Sequence, residues 1–215
     1  MKICIATYQQ YHAKRRVLIF IKGGLKRMAI LYNIKKVVLT ELDESTGSAK
    51  SSGIVTHIKT AQKAELEAVL SEGDEDILRS PEQILAVVRT NDLIYGYDMT
   101  LTDNTFDAKA AELVAGYKVT GSGNEEKWST PMMTEGFTGK PFKCDIYVAN
   151  YSGDSIVNYV KITLNKCYGK FPDMEVGDGY YAPEFKIKAR ENTKASLPIK
   201  EITFVDEVPA DPEAS

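Results

Sequence analysis

Histidine, cysteine and tryptophan are scarce in this chain, and their scarcity removes whole classes of chemistry. Among 215 residues there are two histidines, three cysteines and one tryptophan. His12 and His57 stand far apart, and Cys4, Cys144 and Cys167 lack metal-ligand spacing, so the residues give no His/Cys zinc site. No P-loop, dinucleotide fingerprint or nucleophile elbow is present. The acidic run Glu72-Gly-Asp-Glu-Asp76 lacks the alternating carboxylates and closing glutamate of a calcium loop. Asp98, Asp103 and Asp107 fall in a strand, a turn and a cap, which accounts for them without a metal or acid–base role. The reading is a non-enzyme with no cofactor and no metal. Long apolar runs are missing as well: Val17 to Ile21 is closed by Lys22, too short to span a bilayer or serve as a secretory core.

Basic residues are few after the first 27. That segment holds seven Lys and Arg and no acid; from Met28 on, 20 basic face 30 acidic residues, a net of −10. Phosphate contacts need Lys and Arg, so an acidic domain is a poor nucleic-acid binder. The three cysteines read as free thiols, Cys144 and Cys167 within strands, with a Cys144–Cys167 disulfide as the alternative.

Residues 1–27 differ from the remainder. A membrane-surface helix is one reading. The favoured one is a translated leader: Lys22-Gly23-Gly24 can be encoded by a bacterial ribosome-binding site, and Met28 follows three codons later. The domains are then 1–27 as leader or extension, 28–209 as a β domain, and 210–215 as a flexible tail.

What the chain does contain is β pattern. Residues 34–42 and 54–59 are β-rich, separated by a polar loop at 43–53. Residues 61–70 fit either a helix or a strand, and strand is preferred. Residues 72–76 read as a solvated turn. Residues 83–90 read as a strand buried on both sides, turning at Asn91-Asp92 into a hairpin with the next strand. There Leu93, Tyr95, Tyr97, Met99 and Leu101 alternate with Ile94, Gly96, Asp98, Thr100 and Thr102, the period of a strand with one face on a core. Asp107 can cap a short helix that carries Ala110, Ala111, Leu113 and Val114, and Gly116 can end it. Residues 142–151 and 156–168 form a hairpin about Ser152-Gly153-Asp154. Phe185, Ile187 and Ala189 alternate with Lys186, Lys188 and Arg190, and 197–205 is a last strand. The expected fold is mainly β: an antiparallel sandwich or barrel-like domain, one short helix at about 107–116, and a long excursion.

The segment Tyr97-Asp-Met-Thr-Leu-Thr-Asp-Asn-Thr-Phe106, with the strand–helix–long-hairpin order after it and Pro183-Glu-Phe-Lys-Ile-Lys-Ala-Arg190, resembles the tail tube (major tail) proteins of bacteriophages and phage-like contractile particles. The resemblance covers roughly residues 34–209. It implies a structural subunit of homohexameric rings stacked into a tube, placed in the virion tail and assembled in the host cytoplasm. It implies a tape measure protein in the lumen, contacts with sheath, tail-terminator or baseplate proteins, and DNA only in transit. The hairpins at 83–102 and 142–168 would line the lumen. The rival class is a monomeric receptor- or carbohydrate-binding β-sandwich of a baseplate or adhesin, which would need an aromatic-lined groove.

Two sets of residues are candidates for subunit contacts. The excursion at 117–141 is too long for an idle connection, and it gathers Trp128, Pro131, Met132, Met133 and Phe137, which either meet another subunit or fold onto their own core. Lys186, Lys188 and Arg190 form a basic strand face. It reads as a solvated face or a salt-bridging subunit edge, since no aromatic platform interleaves with it in the sequence.

Overall fold

The computed structural model describes residues 30–105, 107–132, 134, 139–170 and 182–211. The leader, Met133, Phe137 and the connection at 171–181 lie outside the described residues. The strands are β1 (Ile30–Glu41), β2 (Val55–Ile58), β3 (Ala61–Ser71), β4 (Glu75–Arg79), β5 (Ile84–Arg89), β6 (Leu93–Asp103), β7 (Lys118–Thr120), β8 (Lys127–Ser129), β9 (Phe142–Ser152), β10 (Ser155–Gly169), β11 (Glu184–Ala189) and β12 (Lys200–Val205). The α-helix is α1 (Ala108–Ala115). The fold is mainly β, every strand pair is antiparallel, and α1 is the single α-helix among the described residues, as the patterning predicts.

The main sheet runs β2-β1-β9-β10-β11-β6-β3, and β12 also pairs β10. One flank of β10 lies along β9. The other forks: Tyr159–Leu164 pair β12, whereas Cys167–Gly169 pair β11. Two buried asparagines tie the fork. Asn165 donates from its side chain to the Pro198 carbonyl at 2.9 Å, and Asn192 donates to the Gly47 carbonyl at 2.8 Å. Because β10 belongs to both branches, the two halves of the sheet turn apart and face one another as a sandwich.

Alternation explains the interior. Val37 and Leu39, Met99 and Leu101, Phe142, Cys144 and Ile146, and Phe185 and Ile187 all point into one cluster, with Leu113 and Val114 of α1. The helix is set at both ends by local chemistry. Asp107 accepts from the Lys109 N–H at 2.8 Å, and Gly116 takes the left-handed conformation at φ 67°. The other Asp107 oxygen accepts from the Thr56 hydroxyl at 2.6 Å, which fastens α1 to β2. Asp103 is fully buried and accepts from Thr60 at 2.6 Å and from the Asn104 N–H at 2.8 Å. Cys144 and Cys167 are buried free thiols, and burial pushes both thiols up. The alternative disulfide is not formed: β9 and β10 set Cys144 opposite Leu164 and Cys167 opposite Phe142.

Two expectations are corrected. Residues 84–89 are exposed throughout and pair β4, not β6, so the hairpin at 83–102 does not exist in that form. Residues 75–76 belong to β4 rather than to a turn, because Ile77 and Leu78 extend a ladder opposite Val87 and Ala86. Of the tail expected at 210–215 only 210–211 are described; Lys36 donates to the Pro209 carbonyl at 2.7 Å and to Asp211 at 2.5 Å.

Gly169, at the end of β10, is packed against α1. A Cβ there would stand 1.8 Å from the Val114 carbonyl oxygen. Gly169→Ala should therefore destabilise by about 1–3 kcal/mol, the usual cost of overpacking. Gly153→Ala, at φ 61° with nothing within 4 Å, should cost about 1 kcal/mol through backbone strain alone. Urea unfolding of both variants checks the order; a Gly169→Ala protein as stable as the parent would contradict this packing.

Candidate assembly surfaces

Antiparallel pairing fixes which strand ends lie together. Along the path β1-β9-β10-β11-β6, alternate strands run the same way, so the N-terminal halves of β1, β10 and β6 share one end of the molecule. The core does not reach that end. Along β6, exposure falls from 67% at Leu93 and 52% at Tyr95 to 1% at Met99 and zero at Leu101. β1 repeats the gradient from exposed Ile30 to buried Val37, and β10 from exposed Val157 to buried Leu164. The sandwich is closed by core and helix at one end and open at the other.

Two apolar prongs form the open end. One is the tip of the β9–β10 hairpin with the start of β1: Leu31, Tyr32, Ile156 and Val157 are exposed there, and Tyr32 meets Tyr151 edge-on at 6.1 Å. The second is an arm. β3 and β6 pair as far as Ser71 opposite Leu93, and the ribbon then continues as β4–β5. The join is a close backbone approach: the Gly73 N–H donates to Asp92 at 2.9 Å, the Thr90 N–H donates to the Asp74 carbonyl at 2.9 Å, and a Cβ on Gly73 would meet the Thr90 carbonyl at 2.0 Å. Every residue of β4 and β5 is exposed, including Ile77, Leu78, Ile84, Leu85, Val87 and Val88. Apart from Val55, Met132, Tyr168 and Leu197, all of the exposed large apolar residues belong to this end or to the flanking β3 and β12. An isolated two-stranded ribbon is marginal in water, and an apolar surface this continuous marks a contact site.

Free strand edges border the open end. Among the described residues β3 pairs only β6, and β12 only β10. Such edges template pairing with a further chain.

The residues singled out from the sequence fall into two groups. Trp128 lies on β8 and is half-buried; its indole N–H donates to Glu126 at 2.5 Å, and its ring is tilted 6.5 Å from Tyr117. Pro131 is also half-buried, whereas Met132 is 72% exposed. The excursion is thus partly a small β7–β8 hairpin of its own. Met133 and Phe137 lie outside the described residues. The structure brings Lys186, Lys188 and Arg190 together on one face of β11, but β11 is an internal strand and the face is not a sheet edge. Aromatics do flank it, contrary to the sequence reading. Tyr168 stands opposite Lys188, and the Arg190 guanidinium lies 5.5 Å from the Tyr95 ring while reaching Asp98 at 3.4 Å. Across the same face, Lys188 is followed by Asp98 and Glu67, and Lys186 by Thr100 and Glu65. Basic β11 therefore gives way to acidic β3, a bipolar surface rather than a track for phosphate.

Two clefts are lined by described residues. One of about 420 Å³ is lined by Glu41, Asp43, Lys50 and Lys140 among others, and one of about 400 Å³ by Thr56, His57, Lys59, Asp107, Lys109 and Asp211. Neither lining includes Trp, Tyr or Phe. Among the described residues no group of three His, Cys, Asp or Glu is placed to hold a metal ion.

The second cleft carries a charge cluster that titration can read. Lys36 and then Lys59, by hydrogen bonds, hold the Asp211 carboxyl down to about 2. Its contribution to stability is complete above the ordinary Asp value and is lost as pH falls through about 2. Burial, then the Lys36 charge, lowers His57 below its ordinary value. The unfolded chain takes that proton more readily, so stability declines as pH drops below about 6.5, the ordinary His value. Carbon-13 NMR should place the Asp211 carboxyl midpoint near 2; a midpoint near 4, the ordinary Asp value, would show that the ion pairs are absent.

No family model matches this sequence, and no curated protein matches it.

Proposed function

We propose that this chain is a self-assembling structural subunit, a tail tube protein of a phage or phage-like particle that forms stacked hexameric rings around a channel for DNA. The observation that carries the reading is the open end: an arm exposed on every residue, beside a second apolar prong and two free strand edges. A monomeric sandwich would close its core at both ends. Burying the six large apolar side chains of the arm, each about half exposed, gains roughly 5–9 kcal/mol before the cost of association. That is comparable with the entropic cost of docking, so the arm needs the second prong and ring closure to hold an assembly. A subunit with two different sticky surfaces makes head-to-tail contacts, and these close into rings when the rotation allows. The resemblance of residues 97–106 and the order of elements after them supply the identity of the ring.

The charge supports a conduit. The excess acid from Met28 on disfavours phosphate retention, and the arm shares it: residues 72–92 hold six acids and two arginines. The sheath, tape measure protein and other tail components are the partners this reading entails. The rival, a sugar- or receptor-binding monomer, lacks an aromatic groove in either cleft described above.

Leu85→Asp with Val87→Asp tests the reading. Both sites are exposed, so the subunit should keep its urea midpoint within about 0.5 kcal/mol of stability, while sedimentation loses the assembled species. Assembly unchanged by the two aspartates would overturn the role of the arm. Assembled wild-type protein should also fail to retard single- or double-stranded DNA at ~50 mM salt, where electrostatic binding is strongest. Tight, salt-sensitive retardation would contradict the conduit.

A further inference from the structure

The second cleft holds more than a salt bridge. Lys36 on β1 is a nearly buried lysine, its side chain 8% exposed, and both of its described hydrogen bonds go to residues more than 170 positions away. Lys59, one residue past the end of β2, reaches the second oxygen of the same Asp211 carboxylate. His57 joins them from β2, with Nδ1 at 3.6 Å from Asp211. That nitrogen is buried and has no hydrogen-bond partner among the described residues, so it faces the carboxylate across a gap slightly too long to bond. A lysine and a histidine are thus buried around one carboxylate. Removing it would leave them as uncompensated polar groups, the costly half of a broken buried pair.

The path of the chain to this point is constrained. Thr203, Lys161, Tyr147 and Lys36 stand in one row across β12, β10, β9 and β1, and Lys59 follows the end of β2. Six residues extend to about 20 Å, enough to cross three strand spacings of about 4.8 Å from β12 to β1. The segment from Asp206 to Asp211 bends at its first two residues, and its short route runs over the outer face, above β10 and β9. Tyr147 and Val38 lie on that face beneath the route, and each is 7% exposed. Val208, midway along the segment, is half-buried.

We infer that Lys36, His57 and Lys59 form a carboxylate receptor whose ligand is the chain's own segment 206–211, a strap drawn across the outer face and fastened by Asp211. The strap links both edges of the five-stranded half of the sandwich and covers an apolar and basic strip that would otherwise lie open. A carboxylate offers one oxygen to each of the two ammonium groups, with the imidazole beside them. This inference rests on the geometry of the single chain and does not depend on the tube reading.

Hydrogen–deuterium exchange on the full chain tests it, with Asp211→Asn, Lys59→Met and their double variant. Lys59 is exposed, so Lys59→Met leaves the fold intact, and urea unfolding checks that Asp211→Asn, which strips buried Lys36 of its counter-ion, is still folded. Each single variant should speed exchange in β2 by about tenfold or more, while β11 is unchanged. The double variant should be no faster than Asp211→Asn alone, since both remove the same fastening. The Asp211→Glu variant, which keeps the carboxylate, should exchange more slowly than Asp211→Asn. Unchanged exchange in β2 in Asp211→Asn, or additive effects in the double variant, would overturn the receptor. Because these readouts concern one subunit, they fail independently of any failure to form rings.

Discussion

Strand β10 is the constraint on which the molecule depends. It is fifteen residues long and belongs to two half-sheets, giving its first part to β12 and its last three paired residues to β11. Where the branches diverge, backbone groups would be stranded in a buried region, and Asn165 and Asn192 satisfy them from their side chains. The fork lets β11 and β6 fold back over β9 and β1, so that Phe142, Leu164, Phe185, Leu101 and the buried face of α1 meet in one core. It also means the two halves lie close at one end only. Toward the N-terminal ends of β1, β6 and β10 they separate, and the apolar residues there are left exposed among the described residues.

This asymmetry unites the features described above. Charged edges, short strands and covering elements are the ordinary protection of a β protein against self-association. Here that protection is uneven. β2 is four residues long and is flanked by α1 and by the segment bearing Asp211. β3 carries Glu65 and Glu67 on its outer face, yet Leu66 and Leu70 on the other. β12 leaves Ile202 and Phe204 exposed, and the arm leaves Ile77, Leu78, Ile84, Leu85, Val87 and Val88 exposed among its charged residues. Guarded surfaces gather at the closed end and sticky ones at the open end, the distribution expected of a subunit that must associate in one direction.

Much of this was legible in the sequence where the signal is local. Asp107 and Gly116 marked the helix by side-chain capping and left-handed backbone, which depend on neighbouring residues only. The β9–β10 hairpin followed from alternation about Gly153, and the alternation of β11 separated Phe185 and Ile187 from Lys186 and Lys188. What was hidden is non-local. The apolar run at 84–88 shows that both faces of a strand avoid water, but not whether its own chain covers them, and the arm turns out to be bare. The pairing of β6 with β11 joins residues more than 80 apart, so Asn91-Asp92 passed for a hairpin turn when it is a joint within a longer ribbon. Asp211 looked like part of a polar tail because its partners, Lys36 and Lys59, lie at the other end of the chain. Trp128 gave a true signal of local packing, against Tyr117, but its conspicuous side chain drew attention from the plainer aliphatic residues of the open end.

The central claim is that the open apolar end is completed by further copies of the same chain. Negative-stain electron microscopy of the purified protein across a concentration series tests it most directly. The account predicts rings with a central channel that stack into tubes as concentration rises. Particles of single-subunit size at every concentration, with the arm still exchanging its amide protons freely, would contradict it.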